Sequence, residues 1–468
     1  MKPNGRYRAR LTARGYEQLE GLHYDANSTA APVTNDTTIR IMFVLATLAG
    51  WRTYVVDVQG AFLNGRFEAG ERLFLKVPDG FTTKYDDSTV LKLNWTIYGL
   101  KQSAQAFWSE LVRALKAMDF TKSKGDPCCY VRHTEDRVIV CLSWVDDCLF
   151  LGTNADVIDS KNQLLKYFEC DDVGYCTEYV GCNITTKGKS VMITQPVLVQ
   201  SLVDEFDAVN NNYSTPAPAG KSLQYTENAE EIKKVEIKKY QAGVGKLLYL
   251  SRWSRPDISN IVRELARFSC RAQAAHVTAM KRVMDYCWAT KDKGLMIKPD
   301  GKWSGKVDET EFEIKGVSDS DYAKDLESRR SVTGYSVFLN SAPVAMKSKM
   351  QDIVTLSVTE AELIAATQCV QEMMYVKKIV ESIGLKVKHP MIIQVDNKGT
   401  KDLMNNWSVG GRTRHIDIRY FYIRELKEQN LLKIEWIPSG NNCSDLFTKN
   451  LGFDMYQKHA NVFCDELG

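Results

Sequence analysis

The sequence has 468 residues, and its 44% hydrophobic and 25% charged residues are those of an ordinary globular protein with room for about two to four domains. Its formal net charge of +3 excludes a strongly basic chain, although the first fifteen residues carry five basic side chains and no acid. The twelve cysteines include no CxxC pair and no histidine at zinc-finger spacing, so we expect a reduced, intracellular protein with free thiols.

The first part of the chain alternates short strands with helices. Residues 6–11 alternate like a strand with one basic face, and residues 35–51 keep helical spacing. The strand predicted at 53–58 carries Asp57 within an apolar background. The remaining elements predicted up to residue 118 are short strands at 73–77 and 91–93 and an amphipathic helix at 102–118.

Two apolar runs enclose a pair of adjacent acids between residues 138 and 152. Both runs are rich in β-branched and aromatic residues, which predicts a β-hairpin with its tight turn at Asp146-Asp147. Turns tolerate Asp, so a surface turn with two solvated acids is one interpretation. The other is a divalent metal site, because like charges held between buried strands repel by roughly several kcal/mol and a cation removes that cost.

The second part of the chain divides at two polar segments, 214–239 and 301–313. Between them, helical patterns within 240–291 predict a small helical subdomain. Beyond residue 313, strand and helix signals together predict a mixed α/β domain. The elements predicted from residue 156 onward are helices at 156–168, 197–206, 359–383, 419–426 and 444–449, and strands at 179–184, 190–193, 334–339, 343–346 and 391–395.

The first candidate site combines Asp57 with Asp146 and Asp147. Two separate strands each present an acid from an apolar background, and strands that are neighbours in a sheet bring such acids together. Phosphoryl transfer needs divalent cations that steady the attacking and leaving oxygens, and Mg²⁺ needs few carboxylates because it keeps several waters. Taken alone, Asp57 also fits a plain acid at a strand end.

The second candidate site combines Asp319, Glu362, Asp396 and Asp445. Asp319 and Asp396 end strands, Glu362 lies in the first turn of the long helix, and Asp445 opens a helix. Acids at two strand ends and two helix starts can converge on one pair of metal ions. Each of these four residues, taken alone, also fits an ordinary surface acid.

A series of short motifs follows in order along the first part of the chain. They are Tyr7–Gly15, Ala31–Val33, Val56–Gly65, Val77–Phe81, Ile97–Gln102, Trp144–Asp147 and Arg255–Ile258. In this order they resemble the reverse transcriptase of Copia-type LTR retrotransposons. The resemblance implies a right-hand polymerase fold with fingers, palm and thumb, in which Asp57 and Asp146 bridge the metal ions and Asp147 is a less essential third acid.

The resemblance also implies roles for residues around these acids. Phe62 matches the aromatic residue that crowds a ribose 2′-OH and selects deoxynucleotides, although it also fits a plain core aromatic. Arg8, Arg10 and Lys101 are candidates for contacts with the triphosphate or with template phosphates, which position a substrate without reading its sequence. Each of these basic residues also fits a solvated strand face.

Three features depart from the family pattern. Trp144 stands where the family usually has Tyr, beside the acidic pair. The stretch Ser103–Gln105 replaces what is commonly Ala-Pro-Arg, which removes a charge near the nucleotide site. The family's fingers also begin some tens of residues before the first residue of this chain, so we expect truncated fingers.

Motifs of the same family continue into the last part of the chain. They are Ser318–Ala323, Arg329–Tyr335, Ser348-Lys349, Thr359–Glu362, Val395–Asn397, Arg412–Asp417 and Asp445–Lys449. As an ordered set, the four acids of the second site resemble the Asp-Glu-Asp-Asp site of ribonuclease H, which cuts the RNA strand of an RNA–DNA hybrid.

The ribonuclease H resemblance also bears on the residues near these four acids. Asp321 and Glu360 lie close to two of the four acids and rank second to them as metal ligands. By the resemblance, Arg412, Arg414 and His415 bind the hybrid or assist product release. His415 also fits a structural histidine that caps a helix.

The expected fold is of the α/β and α+β classes: a right-hand polymerase fold followed by a ribonuclease H-like mixed-sheet domain. The expected domains are fingers and palm at 1–213, a linker at 214–239, a helical thumb-like region at 240–300, a connector at 301–313 and the ribonuclease H-like domain at 314–468.

The resemblance implies an RNA-directed DNA polymerase with ribonuclease H activity that copies retrotransposon RNA by two-metal phosphoryl transfer. The implied cofactor is Mg²⁺, with Mn²⁺ as an alternative, at two ions per active site. The implied partners are an RNA template, a DNA primer, an RNA–DNA hybrid and dNTPs, and we expect a longer polyprotein that has protease and integrase. The alternative function is an inactive or domesticated retrotransposon remnant that binds nucleic acid without catalysis.

The expected location is the cytoplasm or the nucleus. The longest apolar run, residues 41–51, is too short to span a bilayer, so no membrane partner is expected. No targeting segment is visible at the start of the chain.

Overall fold

The computed structural model describes residues 9–68, 70–78, 80–81, 84–86, 88–135, 137–307, 310–405 and 417–466. The α-helices in these residues are α1 (Asp36–Ala49), α2 (Ser103–Ala117), α3 (Asn154–Leu164), α4 (Pro196–Phe206), α5 (Lys234–Trp253), α6 (Ser259–Ala266), α7 (Ala274–Ala289), α8 (Val358–Ser382), α9 (Lys398–Asn405), α10 (Asp417–Glu428) and α11 (Phe453–Ala460).

The first strands are β1 (Arg52–Val58), β2 (Phe74–Lys76), β3 (Val90–Lys92), β4 (Thr121–Lys122), β5 (Cys129–Thr134), β6 (Arg137–Trp144), β7 (Asp147–Gly152), β8 (Cys170–Tyr175), β9 (Glu178–Tyr179) and β10 (Cys182–Lys187). The later strands are β11 (Ser190–Thr194), β12 (Gly294–Ile297), β13 (Glu311–Phe312), β14 (Ile314–Asp321), β15 (Val332–Leu339), β16 (Ala342–Met350), β17 (Lys386–Val387), β18 (Met391–Val395), β19 (Leu432–Trp436) and β20 (Cys464–Asp465).

The described residues fall into two compact units. The first unit lies within 1–35 and 51–176, and the second within 36–50 and 177–468. The mixed α/β class predicted from the sequence is confirmed. The finer domain limits predicted from the sequence stay predictions. Among the described residues, no helix is long and apolar enough to cross a membrane.

The first unit is built on a six-stranded sheet in the order β4-β5-β6-β7-β1-β8. Because side chains alternate between the faces of a strand, Val56 and Val58 lie on one face of β1 and Asp57 on the other. The apolar face is buried in a core with Phe107 and Leu111 of α2 and residues of α3. Asp57 therefore lies on the face of β1 opposite this core.

The second unit contains a five-stranded mixed sheet in the order β16-β15-β14-β18-β19. The neighbours β14, β15 and β16 are antiparallel, whereas β18 runs parallel to both β14 and β19. Helix α8 packs closely on β14 at Gly316, where a Cβ atom would lie only 2.7 Å from the Cys369 Sγ. The missing side chain at Gly316 therefore allows the approach of α8 that carries Glu362 to the sheet.

A second five-stranded sheet, in the order β20-β12-β11-β10-β9, also belongs to the second unit. Helices α4 to α7 share one apolar core with Val317 and Phe338 of the mixed sheet and with Tyr456 and Phe463 near the end of the chain. The helical region and the mixed-sheet region are therefore stabilised by the same buried surface.

Helix α1 belongs to the second unit, although it precedes β1 of the first unit in the sequence. The Thr37 hydroxyl donates to Glu372 of α8 at 3.0 Å, and the Thr38 hydroxyl lies 2.9 Å from the Tyr375 hydroxyl. The buried Arg40 donates to the Val344 carbonyl at 3.3 Å. These contacts, with the almost wholly buried apolar residues of the helix, make α1 an integral part of this unit.

Most predicted elements are confirmed within two or three residues, including α1, β1, α2, α8 and β18. The prediction of a strand at 6–11 is wrong at residues 9–11, which form no strand, and residues 6–8 lie outside the described residues. The helix predicted at 444–449 is a short 3-10 helix at Cys443–Phe447. Elements missed by the sequence analysis include β8, β12, β19 and α11.

A buried ion pair ties the helical region of the second unit together. The Arg255 guanidinium donates to both carboxylate oxygens of Asp257, at 2.9 and 2.8 Å, and to the Thr290 carbonyl at 3.0 Å. The hydroxyls of Tyr456 and Tyr286 donate to Asp257 at 3.0 and 3.2 Å. Burial alone raises the pKa of Asp257, but the Arg255 guanidinium and the hydrogen bonds to the carboxylate together lower it below its ordinary value.

We expect Asp257→Ala to lower the free energy of unfolding by about 3–5 kcal/mol, because it leaves the Arg255 charge buried and unpaired. The control is Glu327→Ala, which breaks an ion pair with Arg271 whose side chains are 43% and 42% exposed. That change should cost under about 1 kcal/mol. Urea denaturation of both variants measures the difference, and equal shifts would contradict a stabilising role for the buried pair.

Candidate active sites

Strand pairing brings the three acids of the first site together. In the register of β1 with β7, Asp57 lies directly opposite Asp147. The backbone N–H of Val58 donates to the Asp146 carbonyl at 3.0 Å, which holds Asp146 beside the end of β1. Because directly opposite residues point to the same face of a sheet, Asp57 and Asp147 face the same side. The structure therefore assembles this predicted set within the first unit.

A fourth acid, missed by the sequence analysis, lies beside this group. In the register of β1 with β8, Asp57 lies opposite Asp171, so acids flank Asp57 on both neighbouring strands. The Gln59 side chain donates to Asp171 at 2.6 Å. The next residue, Asp172, instead accepts hydrogen bonds from Tyr54 and, at 2.8 Å, from Lys161.

The turn of the hairpin is not where the sequence predicted it. Trp144 pairs with Asp147, so the two-residue loop is Val145-Asp146 and Asp147 is the first residue of β7. Val145 has φ of 55°, in a region that β-branched residues rarely adopt. Two-residue hairpin loops require positive φ at their first position, and here the loop imposes it on a valine rather than a glycine. Strain of this kind concentrates at functional sites.

Three other residues predicted for the first unit contact aromatic side chains. Phe62 packs edge-on against Tyr98, with ring centroids 5.3 Å apart, and the Arg10 guanidinium lies 5.1 Å from the same Tyr98 ring. The Lys101 ammonium donates to the Tyr24 hydroxyl at 2.7 Å. Tyr98 therefore contacts two of the predicted binding residues. The sequence analysis gave Tyr98 no role, although its place within the motif at 97–102 could have indicated one.

The remaining predicted binding residues lie outside the described residues. They are Arg8, Arg412, Arg414 and His415.

The second site forms at one edge of the mixed sheet. Asp319 lies near the end of β14, and Asp396 directly follows β18, which is the parallel neighbour of β14. Glu362 approaches from α8. One carboxylate oxygen from each of these three residues lies within 4.8 Å of the other two. The structure thus brings together three of the four acids predicted for this site.

Asp445 is connected to Asp319 of this site by the side chain of Lys449. The Lys449 ammonium lies 2.8 Å from the Asp445 carboxylate and 3.2 Å from the Asp319 carboxylate. The Thr448 hydroxyl also donates to Asp319. The sequence analysis gave Thr448 and Lys449 no role, although the spacing of Asp445 and Lys449 is that of a helical acid–base pair.

The 3-10 helix that carries Asp445 is fixed to the sheet. The Asn442 side chain donates to the Ser318 carbonyl at 3.0 Å, and the Ser444 hydroxyl donates to the Val317 carbonyl at 2.8 Å. A Cβ atom at Gly334 of β15 would lie 2.8 Å from the Ser444 carbonyl oxygen, so only glycine allows this close approach. The position of Asp445 is therefore set by the backbone of the sheet.

Burial shifts the titration of these acids. It raises the pKa of Asp319 well above its ordinary value, Lys449 partly offsets the shift, and the charges of Asp445 and Glu362 add to it. Burial first, and then the charge of Asp396, raises the pKa of Glu362 to about 8. The site therefore binds protons unless a cation neutralises its charge.

The residues of the second site fit a divalent cation. The Glu362 Oε1 atom accepts the Ser320 N–H at 3.2 Å, whereas Oε2 is buried and has no hydrogen-bond partner among the described residues. A buried polar atom without a partner is costly unless an ion or a water satisfies it. Clustered carboxylate oxygens are the donors that Mg²⁺ and Mn²⁺ prefer.

The two acids ranked second have other partners. Asp321 lies 2.9 Å from the Lys324 ammonium, and Glu360 accepts the Leu356 N–H at 2.7 Å near the start of α8. Glu360 therefore stabilises the beginning of the helix, and neither residue is in the three-acid cluster.

Known proteins are similar to this chain over most of its length. Residues 1–219 match the family model described as reverse transcriptase (RNA-dependent DNA polymerase). The chain is 31% identical over 452 residues to the retrovirus-related Pol polyprotein from transposon TNT 1-94 of Nicotiana tabacum, covering 95% of this chain and 33% of that protein. It is 29% identical over 458 residues to the corresponding polyprotein from transposon RE1 of Arabidopsis thaliana, covering 97% of this chain and 30% of that protein.

Among solved structures, the N-terminal RNase H domain of rv2228c from Mycobacterium tuberculosis is similar to 32% of this chain, and 96% of that chain is covered. The sequence identity is 16% and the TM-score is 0.23.

By its family match, the first part of the chain is of the reverse transcriptase class. The chain as a whole is similar to the Pol polyproteins of Copia-type transposons, which confirms the resemblance of its motifs. It spans about a third of the length of these curated relatives.

Proposed function

We propose that this chain is an RNA-directed DNA polymerase with ribonuclease H activity, which copies retrotransposon RNA into DNA by two-metal phosphoryl transfer. The observation that carries the proposal is the assembly of carboxylates at two separate places in one chain. One group is Asp57 with Asp146 and Asp147 across β1 and β7, and the other is the three-acid cluster of the mixed sheet.

At the first site, Asp57 and Asp146 would hold the metal ions, with Asp147 beside them. Bound Mg²⁺ or Mn²⁺ would activate the attacking hydroxyl and neutralise charge on the phosphate oxygens. The protein's own contribution is position, because the sheet register and the fixed turn hold the acids in place before any substrate binds. Tyr98, with Arg10 and Phe62 on its ring, would position the nucleotide by charge and shape.

At the second site, Asp319, Glu362 and Asp396 would hold a metal ion, and Asp445 would complete the set. The four acids match in order those that the ribonuclease H resemblance implies. The burial of Asp319 and Glu362 excludes most water, so a bound cation would act on the substrate in surroundings of low polarity.

The substrates and partners follow from the family. We propose an RNA template, a DNA primer, dNTPs and an RNA–DNA hybrid, with two Mg²⁺ ions at each site. Similarity to about a third of each Pol polyprotein supports a place within a longer polyprotein that has protease and integrase.

Primer extension on an RNA template with Mg²⁺ or Mn²⁺ tests the polymerase. We expect Asp146→Asn to lower the extension rate by roughly 10²–10³-fold, because it removes a charge that holds a metal ion. The matched control is Asp172→Asn, which changes an acid one residue from Asp171 on β8 that is bonded to Tyr54 and Lys161. Its extension rate should stay within about twofold of wild type, since exposed pairs contribute little. Equal extension by wild type and Asp146→Asn would overturn the polymerase assignment.

Cleavage of an RNA–DNA hybrid tests the second site. Glu362→Gln keeps the shape of the side chain but removes its charge, so hybrid cleavage should fall by roughly 10²–10³-fold while primer extension is retained. Glu360→Gln, two residues earlier on α8, is the control and should retain cleavage. Cleavage that is unchanged in Glu362→Gln would remove Glu362 from the proposed site.

A further inference from the structure

The second site already contains a cation that the protein itself supplies. The Lys449 ammonium bridges the Asp319 and Asp445 carboxylates, at 3.2 and 2.8 Å. Asp319 is fully buried, and the Asp445 side chain is 10% exposed. Asp445 is also the one predicted acid of the site that lies outside the three-acid cluster. The four acids therefore form a three-acid cluster open to a metal ion and a pair occupied by lysine, and Asp319 belongs to both.

The position of this ammonium is set by the fold. Lys449 directly follows Thr448, whose hydroxyl donates to Asp319, and its own backbone N–H donates to the Asp445 carbonyl at 3.0 Å. The 3-10 helix before it is fixed to β14 by Asn442 and Ser444. The Lys449 side chain is 35% exposed, so it has room to leave the site.

We propose that Lys449 is a built-in counter-cation that competes with a metal ion for the Asp319–Asp445 carboxylate pair. This inference rests on the proposed metal site and concerns the order in which that site fills. The free chain takes one divalent ion at Asp319, Glu362 and Asp396. A second ion binds at Asp319 and Asp445 only when the Lys449 ammonium withdraws. Lys449 is a positioning residue in this scheme, and it makes the two ions bind with different affinities.

The charges support this competition. Two cations cannot share one buried pair of carboxylates without repulsion, so whichever is bound lowers the affinity for the other. In the absence of metal, the same ammonium stabilises two carboxylates that burial would otherwise leave uncompensated. Loss of the lysine charge should therefore weaken the metal-free fold and strengthen metal binding at the same time.

Titration of the full chain with Mn²⁺ alone, by calorimetry, measures the competition. Lys449→Met removes the charge and keeps the length of the side chain, and we expect the weaker class of Mn²⁺ sites to bind about tenfold more tightly. Lys449→Arg keeps the charge and should titrate like wild type. The matched control is Lys377→Met, which breaks an ion pair of 2.7 Å with Glu381 on α8 outside the site. Ions held by the acids of the first unit contribute equally to all four proteins.

Thermal denaturation gives a second readout. In EDTA, Lys449→Met should melt below wild type, and Mn²⁺ should raise its melting temperature more than that of wild type or Lys377→Met. If Lys449→Met folds only with Mn²⁺, that dependence supports the proposal. If it folds under neither condition, Lys449→Gln replaces it in both measurements and is expected to show the same two changes.

The two ways of failing are distinct. Unchanged Mn²⁺ affinity in the Lys449 variants, with affinity lost in Glu362→Gln, would overturn the competition while keeping the metal site. Mn²⁺ binding that neither Glu362→Gln nor Asp396→Asn affects would overturn the metal site of the proposed function and the inference together.

Discussion

Repulsion between carboxylates held close together is the constraint around which both candidate sites are built. Like charges a few ångströms apart in a poorly solvated environment cost several kcal/mol unless protons or cations compensate them. At Asp319 and Glu362, burial raises the pKa of both carboxyls, and the charges of neighbouring carboxylates raise it further. The protein nevertheless holds the acids in place, through strand register in one unit and through strand ends and a tightly packed helix in the other.

The charge of the clustered carboxylates is compensated in different ways in the two units. In the first unit, Asp57, Asp146 and Asp147 are partly exposed, so water shares the cost of their charge. In the second unit, Asp319 and Glu362 are buried, and Lys449 and Thr448 supply part of the compensation from within the chain. A buried site of this kind gains more from a bound divalent ion, because water does little to screen its charge.

Much of this arrangement could be predicted from the sequence, because β1 and the 138–152 hairpin have strong local patterns. The predicted turn was wrong by one residue. Its position depends on the pairing of Asp147 with both Trp144 and Asp57, which local composition does not reveal. Strand β8 was missed because its two acids and a glycine hide the alternation of a strand. The membership of α1 in the second unit depends on long-range contacts such as Thr37 with Glu372, which chain order cannot reveal. The role of Lys449 likewise depends on side-chain distances that the sequence does not contain.

The central claim is that this chain carries two carboxylate sites built to hold divalent cations. Anomalous diffraction from crystals of the full chain soaked in Mn²⁺ tests it most directly. The account predicts ions about 2.0–2.6 Å from carboxylate oxygens of Asp319, Glu362 and Asp396, and at the same distance from those of Asp57 and Asp146. Ordered Mn²⁺ at other acids of the crystal, with none at either of these groups, would contradict it.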